Sequence, residues 1–328
     1  MIELKKEGLY CAPGDFYIDP WRPVARALIT HAHADHARMG SENYYCVDRA
    51  LPILQHRLGN ENIFHTKAYG EKFKMGSTIV SFHSAGHILG SAQIRIEHND
   101  NVWVFSGDYK RGEDPSCDPF EVVPCDTFIS ECTFGLPVYK WEEGSVTGKK
   151  ILDWWQGDLE RPSLLFCYAL GKAQRVLAEL ALMTDKTVYL HGAVDSLTKI
   201  YRDAGIKMLP TVPVTEMDKG YNFNGDLIIA PPSAHRSLWM KRFKAPQTAF
   251  ASGWMQVRGS RRRKGYEKGF VLSDHADWSQ LNQTIQQTKA KTVYLTHGKT
   301  DVLERYLTEQ GVTVKLFQTH FDDVEDAS

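Results

Sequence analysis

Short apolar runs broken by turn residues fill the first 135 or so positions. The runs over 27–30, 78–82 and 102–105 read as strands, and two helices are expected among them. Gly40, Gly59-Asn60, Gly76 and Asn99-Asp100-Asn101 punctuate this stretch. The last of these is expected to turn a hairpin between 93–97 and 102–105. From about residue 136 the period changes. A strand over 163–168 is followed by Gly171-Lys172-Ala173-Gln174, which opens a helix with apolar positions Val176, Leu177, Leu180 and Leu182. Strands over 187–190, 226–230 and 247–251 alternate with helical stretches, the pattern of a parallel sheet flanked by helices. Beyond Phe270 the pattern predicts a helix near 278–288, a strand over 292–296, a helix near 302–309 and a strand over 312–317. The acidic stretch from Phe321 to Ser328 is expected to fray.

Composition places the chain among globular proteins, because 328 residues with 42% apolar and 24% charged content can bury one large core or two ordinary ones. No apolar run reaches membrane-helix length, and Met1–Lys6 lacks the apolar centre of a signal peptide. The six cysteines form no CxxC pair and read as reduced thiols, so a cytoplasmic protein is expected. With 39 basic and 40 acidic side chains the net charge is −1, which excludes nucleic-acid binding by overall charge. A local patch remains. Between Lys241 and Lys268 stand nine Lys or Arg residues and one acid, Glu267. Its centre is Arg258, Arg261, Arg262, Arg263 and Lys264, with Phe243, Trp254 and Tyr266 interleaved and Trp239 just upstream. Cations grip phosphates and aromatic faces stack on unpaired bases, whereas the plainer reading is a solvated loop over core aromatics.

The chemistry begins where the first apolar run stops. Residues 31–36 read His-Ala-His-Ala-Asp-His, and four of the six can ligate zinc or a similar first-row metal. Three further candidates each follow an apolar run and stand beside a glycine: His87 after Gly86, Asp108 after Gly107, and His297 before Gly298. Strand ends that converge on one edge of a sheet gather such distant ligands. On this reading His31, His33 and His87 hold one metal, Asp35, His36 and His297 a second, and Asp108 bridges them. The near-duplicate KTVYLHG at 186–192 makes His191 a competitor of His297. His297 is favoured because it follows the His275 segment in order, and His191 is expected to be structural.

This ligand set resembles the metallo-β-lactamase superfamily, and the downstream part resembles its β-CASP nuclease branch. Glu131 in Ile129-Ser130-Glu131-Cys132-Thr133 matches the acidic residue that the branch places after a strand. His275 in Leu272-Ser273-Asp274-His275-Ala276-Asp277 matches its histidine motif. His297 stands at a third motif, which is His in RNA-processing members and often Val in crosslink-repair members. Asp19 in Tyr17-Ile18-Asp19-Pro20 matches the first-strand Asp. The similarity runs nearly end to end. Ser106–Arg111 and Ala251-Ser252-Gly253-Trp254 resemble, more narrowly, the bacterial ligase-associated DNA exonucleases.

The resemblance implies an α/β protein: a metallo-β-lactamase αββα sandwich over 1–135 and 269–328, with a β-CASP domain inserted over 136–268. It implies two divalent ions, Zn2+ or Mn2+, with a bridging hydroxide that attacks a phosphodiester. Asp35, Asp19, Glu131 and His275 would be catalytic, with Glu131 orienting His275 as general acid or phosphate contact. Lys110, Arg111, Trp254 and the basic strip would hold DNA, single-stranded or with free ends, in a repair role linked to a DNA ligase. An RNA-processing nuclease is the near alternative, supported by His297 and Gly171-Lys172-Ala173-Gln174. A thioester or lactam hydrolase would explain the metal ligands but not the basic strip. A dead scaffold is disfavoured because no ligand position is lost.

Overall fold

The structure is a computed structural model that describes residues 1–257 and 265–317. The chain divides into two compact units. One comprises Met1–Arg111, Cys117–Lys140 and the chain from His275 to the last described residue; the other comprises Gly112–Ser116 and Trp141–Asp274. The first unit is therefore assembled from segments on both sides of the second.

The first unit holds two mixed sheets. One runs Ile2–Lys5, Gly8–Cys11, Phe16–Ile18, Arg26–Leu28, Asn43–Val47 and Ile63–Lys67 in chain order. The other has the order Thr313–Leu316, Thr292–Thr296, Thr127–Glu131, Asn101–Phe105, Ala92–His98, Thr78–Ser84 and Phe73–Met75. The expected hairpin is present: Ala92–His98 pairs antiparallel with Asn101–Phe105. Its turn residues Asn99 and Asp100 have φ of 49° and 58°, the left-handed conformation that a two-residue hairpin loop requires and that Asn and Asp tolerate. The helices Trp278–Thr288 and Asp301–Glu309 bury Leu281, Ile285, Leu303 and Leu307 in one core with Val104, Phe128, Val293 and Leu295 of this sheet. Asp277 caps the first of them, its carboxylate accepting from Gln280 N at 2.9 Å. Of the two helices expected before residue 135, one α-helix is found among the described residues, Leu51–Leu58, entered through a 3-10 turn at Asp48–Ala50.

The second unit is built on a six-stranded sheet that is parallel throughout. Its order is Thr211–Pro213, Val188–Leu190, Leu227–Ala230, Ser163–Phe166, Gln247–Ala251, Lys268–Phe270. The helices Gly144–Gln156, Lys172–Ala181 and Gly192–Asp203 belong to the same unit. Lys172–Ala181 buries Ala173, Val176, Leu177 and Leu180, whereas Leu182 lies past its end and is 69% exposed. The architecture is α/β, the class expected from the sequence. No helix among the described residues is long and apolar enough to cross a membrane.

This unit carries a buried charge network. Arg175 Nε lies 3.2 Å from Asp114 and 3.7 Å from Glu179, its Nη1 lies 3.6 Å from Asp274, and Lys172 Nζ lies 3.2 Å from Asp274. Buried pairs add little net stability, but removing one partner strands the others. Arg175→Met is therefore expected to destabilise the protein by about 3–5 kcal/mol, measured by urea unfolding. A loss below about 1 kcal/mol, the range of an ordinary substitution, would show that the three carboxylates find other compensation.

Candidate metal centre

Strand direction gathers the motif residues. Asn101–Phe105, Thr127–Glu131 and Thr292–Thr296 are parallel neighbours, so their C-terminal ends meet one edge of the sheet. Two antiparallel steps away, Thr78–Ser84 runs the same way. Asp108, Glu131, His297 and His87 follow or end these four strands. The His31–His36 loop arrives from the other sheet, after Arg26–Leu28, and is tied across by Ala92 N donating to Thr30 O at 2.8 Å. Gly86 and Gly107 make the tight exits possible. Their φ values are +70° and +55°, and a Cβ at either would stand 2.3 Å from Lys110 O or 2.8 Å from Thr30 Cβ.

Three groups of side chains meet there. His31, His33, His87 and Asp108 each offer a ligand atom within 4.8 Å of the others, as do His36, Asp108 and His297, and Asp108, Glu131 and His275. Asp108 belongs to all three. Asp35 stands beside the second group, its carboxylate 3.5 Å from His36 Nε2. In the first group His33 Nδ1 lies 3.1 Å from both His31 Nε2 and His87 Nε2. Asp108 Oδ2 lies 3.5 Å from His31 Nε2 and 3.8 Å from His87 Nε2. Ligand atoms around a tetrahedral zinc, with bonds of about 2.0–2.1 Å, stand about 3.3 Å apart, so the group fits such an ion closely. The buried Asp108 Oδ1 has no hydrogen-bond partner among the described residues, which leaves an oxygen for a second cation.

Hydrogen bonds behind the ligands set their protons. Asp19 accepts from Thr30 N at 2.8 Å, Thr30 Oγ1 at 2.6 Å and His36 Nδ1 at 2.7 Å. Thr30 has a single hydroxyl proton, and Asp19 takes it. The 3.0 Å contact between Thr30 Oγ1 and His31 Nδ1 then places a proton on Nδ1 and turns the His31 Nε2 lone pair toward the cluster. Thr296 Oγ1 likewise hydrogen-bonds His297 Nδ1. These two threonines were not expected as site residues, although each directly precedes a candidate histidine in the sequence. Asp19 and His297 both have a left-handed backbone, φ 41° and 58°, a conformation that non-glycine residues hold mainly where surrounding structure enforces it.

The electrostatics suit cations. Burial pushes His31 well below its ordinary range, reinforced by the neighbouring imidazoles, so it stays neutral as a metal ligand must. Burial likewise brings His297 down to about 4 against the pull of Asp108. Burial opposes charge on His36, but the carboxylates of Asp108, Asp35 and Asp19 outweigh it and hold His36 well above its ordinary range. Burial opposes charge on Asp108 too, and His36, His275 and His31 hold its carboxylate well below the usual range. Without metal the cluster thus keeps a proton on His36, where a divalent ion would supply the charge instead.

Glu131 is 1% exposed, and its carboxylate accepts from Tyr109 N at 2.8 Å and from His275 Nδ1 at 2.9 Å. Other expected residues lie differently. Lys110, expected to contact substrate, is buried, with 2% exposure. Arg111 is half-buried, donates to Thr284 Oγ1 at 3.2 Å and lies over Phe120. Phe243 is buried in the core of the second unit, and the partly buried Trp239, Trp254 and Tyr266 pack against it. Arg258, Arg261, Arg262, Arg263 and Lys264 lie outside the described residues. His191 caps the Gly192–Asp203 helix in the second unit, its Nδ1 accepting from Ala193 N at 3.1 Å.

The chain is similar to several known proteins. The chain is 29% identical over 309 residues to a probable DNA ligase of Opitutus terrae, covering 93% of this chain and 30% of that protein. It is 27% identical over 234 residues to a ribonuclease of Thermus thermophilus, covering 62% of this chain and 51% of that protein. The chain thus spans a third to a half of the length of these relatives. A crystal structure of an Enterococcus faecalis protein of unknown function shares the fold, with a TM-score of 0.62 at 12% identity over 93% of this chain and 81% of that one. No family model matches the chain. The ribonuclease-named relatives support the β-CASP branch of the metallo-β-lactamase superfamily as the one this chain resembles, and the α/β architecture accords with it.

Proposed function

We propose that the chain is a metal-dependent phosphodiesterase acting on DNA, an exonuclease of repair that works on single strands or free ends in the cytoplasm. The observation that carries DNA over RNA is the Opitutus terrae relative. A protein named as a probable DNA ligase contains a stretch similar to 93% of this chain. Trimming and sealing act on the same strand ends, so a nuclease allied to a ligase is chemically coherent.

In this reading His31, His33, His87 and Asp108 hold one divalent ion, Zn2+ or Mn2+. His36, His297 and Asp35 hold a second that shares Asp108. When bound, such ions supply a nucleophile at neutral pH and positive charge against the phosphoryl oxygens. Asp19 fixes His36 and the Thr30 backbone. Glu131 takes the Nδ1 side of His275, and Nε2 gives a proton to the leaving oxygen. The first unit is the metallo-β-lactamase domain, broadly 1–135 and 269–328, and the second, broadly 136–268, is the β-CASP domain. Arg258, Arg261, Arg262, Arg263 and Lys264 supply cationic groups for the phosphates of the strand.

RNA is the second reading, supported by the Thermus thermophilus ribonuclease. Matched DNA and RNA oligonucleotides, assayed with Zn2+ or Mn2+, separate the two. DNA is expected to be cleaved at least about tenfold faster, a difference of about 1.4 kcal/mol in barrier. The reverse preference would transfer the proposal to RNA. Metal binding with neither polymer cleaved would favour the thioester or lactam hydrolase.

A further inference from the structure

The loop from Thr30 to Ala37 carries four candidate ligands, and its backbone is tied by several hydrogen bonds, among them that from Ala92 N to Thr30 O. Thr30 N donates to Asp19, and His36 N and Ala37 N donate to His33 O at 3.2 and 2.9 Å. A further tie comes from a side chain outside every motif: Arg57 Nη1 donates to the carbonyl of Ala32. Ala32 lies between His31 and His33 and is 1% exposed, and a buried carbonyl needs a partner. Its oxygen belongs to the Ala32–His33 peptide plane, which sets the direction in which the His33 side chain leaves the backbone. Arg57 stands on the Leu51–Leu58 helix, whose Ile53, Leu54 and Leu58 are buried, so the donor is carried on an anchored element. The Arg57 side chain is half-buried.

We infer that Arg57 is a positioning residue of the metal centre, fixing the Ala32–His33 peptide and with it the direction in which His33 leaves the backbone. The inference rests on the metal reading above. A planar guanidinium fixes both the distance and the plane of its acceptor, which a lysine ammonium does not. Groups that support metal ligands from behind are commonly worth about 10- to 100-fold in affinity.

The test uses the full chain, stripped of metal and titrated with Zn2+ and with Co2+, whose visible absorption reports ligand geometry. Wild type, Arg57→Ala and Arg57→Lys are compared, with thermal melting of each metal-free protein alongside. Arg57→Ala is expected to weaken Zn2+ binding by about 10- to 100-fold and to alter the Co2+ spectrum, with Arg57→Lys in between. Wild-type affinity and spectrum in Arg57→Ala would overturn the inference, whatever its melting temperature, and reduce Arg57 to a stabilising residue. Should Arg57→Ala not fold, an unchanged spectrum and affinity in Arg57→Lys would overturn it equally. A wild-type protein that binds neither ion would remove the metal reading itself, and the inference with it.

Discussion

Asp108→Ala is expected to cost the protein metal at both candidate sites and to abolish measurable hydrolysis. Asp108 is the one residue common to all three ligand groups, so its loss removes an anion from each. It also removes the carboxylate that holds the proton on His36 and faces His31 at 3.5 Å. Two cations brought together without the shared anion repel one another, and at an effective dielectric of about 20 unit charges 4 Å apart already interact by about 4 kcal/mol. The affinity loss should therefore exceed the 10- to 100-fold or so typical of a supporting residue. Elemental analysis after dialysis, together with turnover under limiting metal, makes the measurement. Wild-type metal content and turnover in the variant would sink the shared-ligand assignment.

His275→Ala is expected to slow phosphodiester hydrolysis by about 10²–10⁴-fold, the usual worth of a positioned general acid, while metal content stays near wild type. Glu131 keeps its bond from Tyr109 N at 2.8 Å in the variant, so the buried carboxylate is not stranded and the fold should hold. The leaving group supplies a sharper readout. A p-nitrophenyl phosphodiester needs little protonation as it departs, so its cleavage should suffer far less than that of an oligonucleotide. Equal losses on both substrates would deny His275 the role of acid. Metal lost in step with activity would instead make it a ligand, a possibility kept open by its place within 4.8 Å of Asp108 and Glu131.

Local pattern marked the elements on which the candidate site stands. Short apolar runs marked the strands at 78–82, 102–105 and 292–296, and residue chemistry singled out the candidate ligands at their ends. Asn99-Asp100 specified its hairpin because the left-handed turn is a property of those two residues. Side-chain burial and pairing were less accessible, since they depend on partners far away in the chain. The Gly144–Gln156 helix hides from the hydrophobic pattern because half of its buried face is Gly144, Thr147 and Gly148, small residues that read as polar or turn-forming. The burial of Lys110 and the packing of Trp254 against a core could not be read from residue type. The Arg57 bond to Ala32 spans 25 residues and the Tyr109 bond to Glu131 spans 22, separations that no local pattern encodes. Asp108, Glu131 and His297 share one edge only because their strands pair in parallel and in register. Periodicity fixes which residues share a face of one strand; register and direction between strands arise from the crossovers and the packing of the whole sheet.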